Sequence, residues 1–156
     1  MTKLFQIDSL DKKILSILME NARTPFLEVA RACNISGAAI HQRVQKLEDS
    51  GVVKGSKFIV DPKSLGYNTC AFVGVFLEKA HMYKDVVKEL KKIPEVVECH
   101  FTTGNYAIFL KIYCKDNQHL MNVLNNTIQE IPSVSSTETF ISLDMTVDRQ
   151  LDINKC

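Results

Sequence analysis

Apolar positions in the first fifty residues recur at helical spacing. Leu10, Ile14 and Leu18, flanked by Leu15 and Ile17, form a stripe that ends near Asn21, the repeat of one helix face. Asp8 is placed to cap this helix, with Asp11 three residues on. Thr24-Pro25 reads as an N-cap followed by a proline in the first helical position, opening a short helix that turns Leu27, Ala30 and Cys33 inward. Asn34 tolerates the left-handed conformation of a tight turn, and Ile35 plugs that turn. Ser36 can then cap a third helix that stops at Gly51.

After residue 60 the period changes. Asp61-Pro62-Lys63-Ser64-Leu65-Gly66-Tyr67-Asn68 is rich in turn formers and separates the helical region from an alternating one. The chain therefore divides into a helical domain over 1–60, a linker over 61–68 and a second domain over 69–156. In the second domain a strand-like run (Cys70–Glu78) precedes a helical stripe of Met82, Val86 and Leu90. Ile93-Pro94-Glu95-Val96 and a strand to Thr103 follow. A second strand-like run (Tyr106–Cys114) precedes Leu120, Leu124 and Ile128, then Ile131-Pro132-Ser133-Val134 and a strand to Met145. The Ile-Pro-x-Val element recurs after 38 residues at the same point of each unit. Two such units in tandem give βαββαβ, the ferredoxin-like sandwich, with Gly104-Asn105 as a two-residue hairpin between the inner strands. The fold class is α+β.

Such a sheet carries helices on one face only. Its first strand puts Ala71, Val73, Val75 and Leu77 on one side and Cys70, Phe72, Gly74 and Phe76 on the other. The third strand does the same with Ile108, Leu110 and Ile112 against Phe109 and Tyr113. Two apolar faces predict a homodimer through the sheets; the competing arrangement is a third layer formed by the C-terminal tail.

The third helix carries the sharpest candidate chemistry. At 100° per residue Ile40, Val44 and Leu47 form its buried seam, which leaves Ala38, Gln42 and Gln45 opposite and His41, Arg43 and Lys46 on the flanks. Small residues (Ala38, Ala39) allow close approach to a DNA groove, amides pair with adenine edges, and basic groups hold phosphates. Ser36 and the helix N-terminus add donors for a phosphate. Lys54 and Lys57 extend the basic surface. A polar face on any helical bundle would look similar, but the tight turn before the helix favours a helix-turn-helix reader.

Composition changes this picture in three ways. The 156 residues are 46% apolar, enough for folded cores, and the net charge is only +1. Residues 1–60 hold nine Lys+Arg against six Asp+Glu (+3), and residues 61–156 hold ten against twelve (−2), so the basic excess lies in the helical region. The longest apolar run, Cys70–Leu77, is far short of the roughly 20 residues that span a bilayer. Residues 1–7 lack the pattern of a secretory signal, which makes the cytoplasm the expected location. Five cysteines without a C-x-x-C pair or zinc spacing point to buried thiols rather than disulfides or a metal site. An enzyme of the acylphosphatase type would need an Arg-bearing anion loop after the first strand, where Glu78-Lys79-Ala80-His81 stands. No nucleophile with a base is apparent, and His100 and His119 read as structural or surface residues.

Ordered motifs along almost the whole chain resemble one family. Ile7-Asp8-Ser9-Leu10-Asp11-Lys12-Lys13-Ile14-Leu15 is similar to the opening of the Lrp/AsnC family, the leucine-responsive and feast/famine transcription regulators. Asn21-Ala22-Arg23, Ile35-Ser36, Arg43-Val44, Leu47-Glu48 and Gly51-Val52-Val53-Lys54-Gly55 continue its helix-turn-helix signature. Leu65-Gly66, Pro94-Glu95-Val96 and Thr103-Gly104-Asn105-Tyr106 follow its effector domain, called RAM.

The resemblance implies a winged-helix-like DNA-binding domain and a RAM domain, with double-stranded DNA as partner. It implies homodimers that assemble further, often to octamers, and a small amino acid that shifts the assembly. It assigns no cofactor, metal or catalytic residue. DNA contact then falls to Ser36, Ala38, Ala39, His41, Gln42, Arg43, Gln45, Lys46 and Lys54. Effector contact falls to Gly104, Asn105 and Tyr106, with Thr102, Thr137 and Thr139 on neighbouring strands. Two positions depart from the family. Asn34 replaces a common Gly, and Ala107 replaces a common Asp whose carboxylate suits an ammonium group, so that Glu138 or Glu98 substitutes or the ligand differs. An alternative reading is an amino-acid sensor whose helical domain binds protein rather than DNA.

Overall fold

The computed structural model describes residues 5–155, which form two compact units. One comprises the residues up to Ile59 together with those from Arg149 on; the other is Val60–Asp148. The sequence assigned the C-terminal residues to the second domain. The structure groups them with the first, where a 3-10 turn at Ile153–Lys155 packs on the first helix.

In the helical unit α1 spans Ser9–Glu20, α2 Phe26–Cys33 and α3 Gly37–Asp49. α1 opens on a reciprocal cap. The Asp11 backbone N–H donates to Asp8 Oδ1 at 2.7 Å, and the Asp8 N–H donates to Asp11 Oδ2 at 3.2 Å, which satisfies two amides that would otherwise lack partners. The entry to α2 differs from expectation. Pro25 is the flanking residue, with no side-chain cap, and Thr24 instead donates its hydroxyl to the Asn21 carbonyl at 2.8 Å, within the turn that closes α1. The inward face of α2 is Phe26, Val29, Ala30 and Cys33, and Leu27 is exposed. Those four positions follow the i, i+3, i+4, i+7 spacing of one face, and Leu27 lies about 100° round from Phe26.

The turn between α2 and α3 is as the sequence predicts. Asn34 is left-handed at φ 54° and ψ 46°, and the Ile35 N–H reaches the Ala30 carbonyl at 3.0 Å, which ties off the end of α2. Ile35 packs on the core formed by Ile14, Val29, Ala30, Cys33, Ile40 and Val44. Gly51, at φ 77°, terminates α3. Residues 52–60 form no strand, and Phe58, Ile59 and Val60 are exposed. The wing expected of a winged-helix-like domain is therefore absent among the described residues.

The second unit starts on a 3-10 turn over Lys63–Leu65, which Asp61 caps by accepting from the backbone and hydroxyl of Ser64. Then come β1 (Thr69–Leu77), α4 (Tyr83–Leu90), β2 (Val96–Phe101), β3 (Ile108–Cys114), α5 (Asn117–Val123) and β4 (Val134–Ile141). α5 runs on into a π-helical turn over Leu124–Ile128. The antiparallel sheet has the order β2-β3-β1-β4, the ferredoxin-like topology. Its two internal repeats use the same turn. Val96 N–H donates to the Ile93 carbonyl and Val134 N–H to the Ile131 carbonyl, both at 3.1 Å. Ile93 and Ile131 are both buried in the core.

That core lies between the helices and one sheet face. Ala71, Val73 and Val75 of β1 and Ile108, Leu110 and Ile112 of β3 are fully buried there against Val86, Leu90, Leu120, Val123 and Ile128. Each of these Val, Leu and Ile side chains contributes roughly 1.5–3 kcal/mol by leaving water. The β2–β3 connection is longer than the two-residue turn predicted. Thr102 N–H donates to the Ala107 carbonyl at 3.1 Å, so the loop proper is Thr103–Tyr106, with Gly104 at φ 106°. Among the described residues no helix is long and apolar enough to cross a membrane.

Candidate DNA-reading face and effector site

Ser36 begins α3 by accepting the Ala39 N–H on its Oγ at 3.1 Å, which leaves the preceding turn tight and the helix N-terminus open to solvent. Ile40, Val44 and Leu47 are buried, as the helical period requires, and Ala38, His41, Gln42, Gln45 and Lys46 are exposed. Ala39 is half-buried. These side chains differ in how they are held. His41 stands edge-on to Phe26, with ring centroids 4.8 Å apart. Gln45 donates to Asp49 Oδ1 at 2.9 Å. The Lys46 ammonium lies 5.2 Å from the Phe5 ring centre. Gln42 has no hydrogen-bond partner among the described residues, so its amide keeps both donor and acceptor for an incoming base edge. Lys54, also exposed, has no acidic partner there.

Arg43 is placed otherwise than the sequence suggested. Its Nη1 donates to Asp8 Oδ2 and Asp11 Oδ1, each at 2.7 Å. The Asp11 side chain is 8% exposed and that of Arg43 33% exposed, so the guanidinium serves as the counter-charge of a largely buried carboxylate. The two carboxylates raise the affinity of Arg43 for its proton. The Asp11 backbone N–H and then the Arg43 guanidinium hold Asp8 below the usual carboxylate range. The geometry gives Arg43 the role of tying α3 to the start of α1. A phosphate role is not the one it displays.

In the second unit the helix-free sheet face is aromatic. Phe72 and Phe109 stack at 6.0 Å, Tyr106 lies 5.9 Å from Phe109, and Phe76 meets Tyr106 edge-on at 5.2 Å. Phe72, Tyr106, Phe109 and Phe140 line an open depression of about 470 Å³. Lys111 and Glu98 form a 3.4 Å ion pair between β3 and β2.

The predicted effector residues fall into two groups. The Thr102 hydroxyl donates to the Tyr106 carbonyl at 2.7 Å, and the Ala107 N–H donates to the Val75 carbonyl at 3.1 Å, which pins the loop carrying Gly104 and Asn105. The Tyr106 hydroxyl donates to Glu138 Oε2 at 2.6 Å. Thr137 and Thr139 are instead in register with the core residues Val75 and Val73. They therefore share the helix side of the sheet, where Gln129 donates to the Thr137 hydroxyl at 2.8 Å. Because side chains alternate along a strand, the two threonines and Glu138 straddle the edge strand β4. They do not converge on one pocket within a single chain. Of the two carboxylates that could replace the missing acid at 107, Glu138 lies beside the loop and Glu98 is paired with Lys111.

Gly74, beneath the Tyr106 ring, and Gln129, on the Thr137 hydroxyl, lie outside the residues that the sequence pattern marks for this site. The glycine in the middle of an otherwise bulky strand was a visible signal of close approach; nothing in the sequence marked Gln129. His119 is structural, with Nδ1 accepting the Lys115 N–H at 3.1 Å and Nε2 facing Glu95 Oε1 at 3.0 Å. No cluster of metal-ligating side chains occurs among the described residues.

Comparison with known proteins fits both halves of this geometry. Residues 7–48 match the AsnC-type helix-turn-helix domain, and residues 70–151 match the Lrp/AsnC ligand binding domain. The chain belongs to the Lrp/AsnC family. The regulatory protein AsnC of Haemophilus influenzae is 46% identical over 145 residues, 93% of this chain and 97% of its own length. AsnC of Escherichia coli K12 is 40% identical over 147 residues, 94% of this chain and 97% of its own. The solved structure of E. coli AsnC superposes with a TM-score of 0.91, covering 95% of this chain and 99% of that one. A transcriptional regulator of Neisseria meningitidis, solved in complex with L-Met, superposes with a TM-score of 0.87 at 26% identity. It covers 92% of this chain and 94% of its own. This Lrp/AsnC member is thus a DNA-binding transcriptional regulator with a helix-turn-helix domain and a ligand-binding domain.

Proposed function

We propose that this regulator reads DNA as a homodimer, with Gln42 of α3 as the principal base-reading side chain. The observation that carries the reading is the state of α3: a capped helix behind a left-handed turn, whose exposed centre is an uncommitted amide flanked by small residues and lysines. Ala38 and Ala39 permit close approach, while His41 and Gln45 add edge contacts. Lys46, Lys54 and the amides beyond Ser36 hold phosphates. Pairing through the aromatic sheet face, Phe72, Phe109 and Phe140, sets two α3 helices in successive major grooves about 34 Å apart, and hence a pseudo-palindromic site. Further assembly, to an octamer, and a cytoplasmic location complete this reading.

The effector we assign is a small amino acid, the chemistry named in the ligand-bound Neisseria relative. Gly104, Asn105 and Tyr106 with Thr102 supply one side of its site, and Thr137 and Thr139 the other. Since these straddle an edge strand, the site is completed where a second chain meets that edge. No cofactor or metal takes part, and we assign no enzymatic activity.

Selection of DNA from a random pool by gel shift at low and moderate salt tests the DNA reading. A retained sequence whose affinity falls with salt is expected, and a pool without enrichment overturns it. Light scattering and thermal melting with each of the twenty amino acids at millimolar concentration test the effector. A rise in melting temperature together with a change in assembly is expected for one or a few of them.

A further inference from the structure

Tyr106 crosses the sheet. It leaves the β2–β3 loop, passes over Gly74 of β1, and ends on Glu138 of β4. A Cβ placed on Gly74 would stand 2.4 Å from Tyr106 Cδ1 and 2.6 Å from Cε1 and Cγ, closer than carbon atoms pack. The register shows why this glycine is the one crossed. Gly74 pairs with Glu138 on one side and with Phe109 on the other, so the three share one sheet face. Any side chain at 74 would fill the channel along which the ring lies. The ring is fixed at its ends as well as beneath, by Thr102 on its own carbonyl and by Glu138 on its hydroxyl. Phe76 and Phe109 flank it.

We propose that Tyr106 is a strap that couples the Gly104 loop to the aromatic sheet face, so that the conformation of the loop sets the shape of the surface through which two chains pair. The loop itself contributes little to that face. Gly104 is exposed, strained for any other residue at φ 106°, and has open space around it. Tyr106 is where movement of the loop becomes movement on the face, because its ring forms one wall of the depression with Phe72, Phe109 and Phe140. A ligand that reseats the loop would slide or lift the ring off Gly74 and remodel the wall. This deepens the pairing and effector reading above and rests on it for its consequence, although the coupling between loop and ring stands on the contacts within one chain.

Two readouts on the full-length protein test the strap. The first is the phenol titration by difference ultraviolet absorbance, with Tyr106→Phe identifying the Tyr106 signal. The hydrogen bond to Glu138 raises that phenol above its ordinary value, so Glu138→Gln lowers its titration midpoint. Gly104→Ala must move the same signal although it touches neither group; a Tyr106 titration unchanged by Gly104→Ala overturns the strap whether or not chains pair. The second is the dimer dissociation constant by analytical ultracentrifugation. Gly104→Ala and Tyr106→Phe each weaken pairing by about threefold to tenfold, the scale of one hydrogen bond. The double variant is no weaker than the worse single. Effects that multiply overturn the strap. A wild-type chain that stays monomeric defeats the pairing reading alone, and the titration then decides the strap. Gly74→Ala displaces the ring, so it lowers the Tyr106 midpoint as Glu138→Gln does and weakens pairing as Tyr106→Phe does; if it does not fold, the other variants suffice.

Discussion

Arg43 and Asp11 stand 32 residues apart in sequence and 2.7 Å apart in space. Among the described residues Asp11 and Thr69 are the two buried polar or charged side chains, and α3 supplies the counter-charge of Asp11. Removal of the guanidinium leaves a largely buried carboxylate without its counter-charge, with the Asp8 N–H as its remaining hydrogen-bond donor, which costs more than the net worth of the pair. Arg43→Met is therefore expected to lower the stability of the helical unit by about 1–3 kcal/mol, read as a shift in the urea midpoint at unchanged slope. The salt dependence of DNA binding separates this structural role from phosphate contact. If Arg43→Met, refolded and bound under stabilising conditions, lowers the log–log salt slope by about one, the residue touches a phosphate after all.

The same cluster makes the helical unit acid-sensitive. The Asp8 carboxyl is held below its ordinary value of 3.8 by the Asp11 backbone N–H first and by Arg43 second. A carboxyl whose folded value is depressed contributes stability that is complete above the ordinary value and is lost as pH falls through the lower folded one. Urea midpoints should hold between pH 7 and 5 as far as this group is concerned and fall below pH about 4. Asp8→Asn should be less stable at pH 7 and show a shallower fall with acid. Parallel acid limbs for the two proteins would remove Asp8 from the account.

The turn at Asn34 gives a clean backbone test. At φ 54° any residue with a Cβ bears a clash with the backbone of roughly 1–2 kcal/mol, which the short polar side chain of Asn or Asp offsets in part by local hydrogen bonding. Asn34→Ala should lose about 1 kcal/mol, whereas Asn34→Gly, the residue the family commonly uses there, should melt within about a degree of wild type. Thermal unfolding by circular dichroism at 222 nm distinguishes the two.

How far the sequence could be read depended on the range of the interaction that decides each feature. The Asp8–Asp11 cap, the Asn34 turn, the Ser36 cap and the Ile-Pro-x-Val turns at 93 and 131 are each settled within six residues, and all were legible. The sheet order followed from the repeat. Leu27 was misplaced because a single residue of phase on an eight-residue helix moves a side chain from the core to solvent. Thr24 was misplaced because the turn closing α1 competes for its hydroxyl. The partners of Arg43 and the return of residues 149–155 to the helices depend on segments far apart in sequence, and local pattern carries no trace of them; of the passage of Tyr106 over Gly74 it shows the glycine but not what crosses it. The candidate ligand residues were legible as types. Alternation puts Thr137 and Thr139 on the opposite face from Glu138, but that the threonines take the helix side needed the register of β4.

Cys114 is a control for the thiols. It is fully buried on β3, and burial, with Glu95 and Asp116 adding negative charge nearby, pushes its thiol up to about 11. Only the thiolate alkylates. A shift from 9.0 to about 11 leaves about a hundredth of the ordinary thiolate at pH 8. Iodoacetamide should spare Cys114 in the native protein at pH 8 and label it in denaturing urea, as read by peptide mass spectrometry. Labelling of Cys114 at the rate of a free thiol would mean that this end of β3 opens.

The division of labour on α3 yields the sharpest prediction about function. Gln42 projects from the face opposite the buried seam and is uncommitted, so its amide can make the paired donor and acceptor contact that distinguishes adenine. Lys46 offers a charge without direction and is held near Phe5. Gln42→Ala should therefore cost about 1–3 kcal/mol at one base position of each half-site, relaxing the preference there and leaving the salt slope unchanged. Lys46→Ala should weaken all sequences about equally and reduce the log–log salt slope by about one per chain. Binding isotherms on the selected site and on single-base variants, each at several salt concentrations, measure both quantities in one series. A Gln42→Ala protein that keeps the full sequence preference would move base reading elsewhere on α3, to His41 or Gln45. Loss of affinity uniform across bases for both variants would leave the helix as a phosphate-binding element with specificity arising from DNA shape.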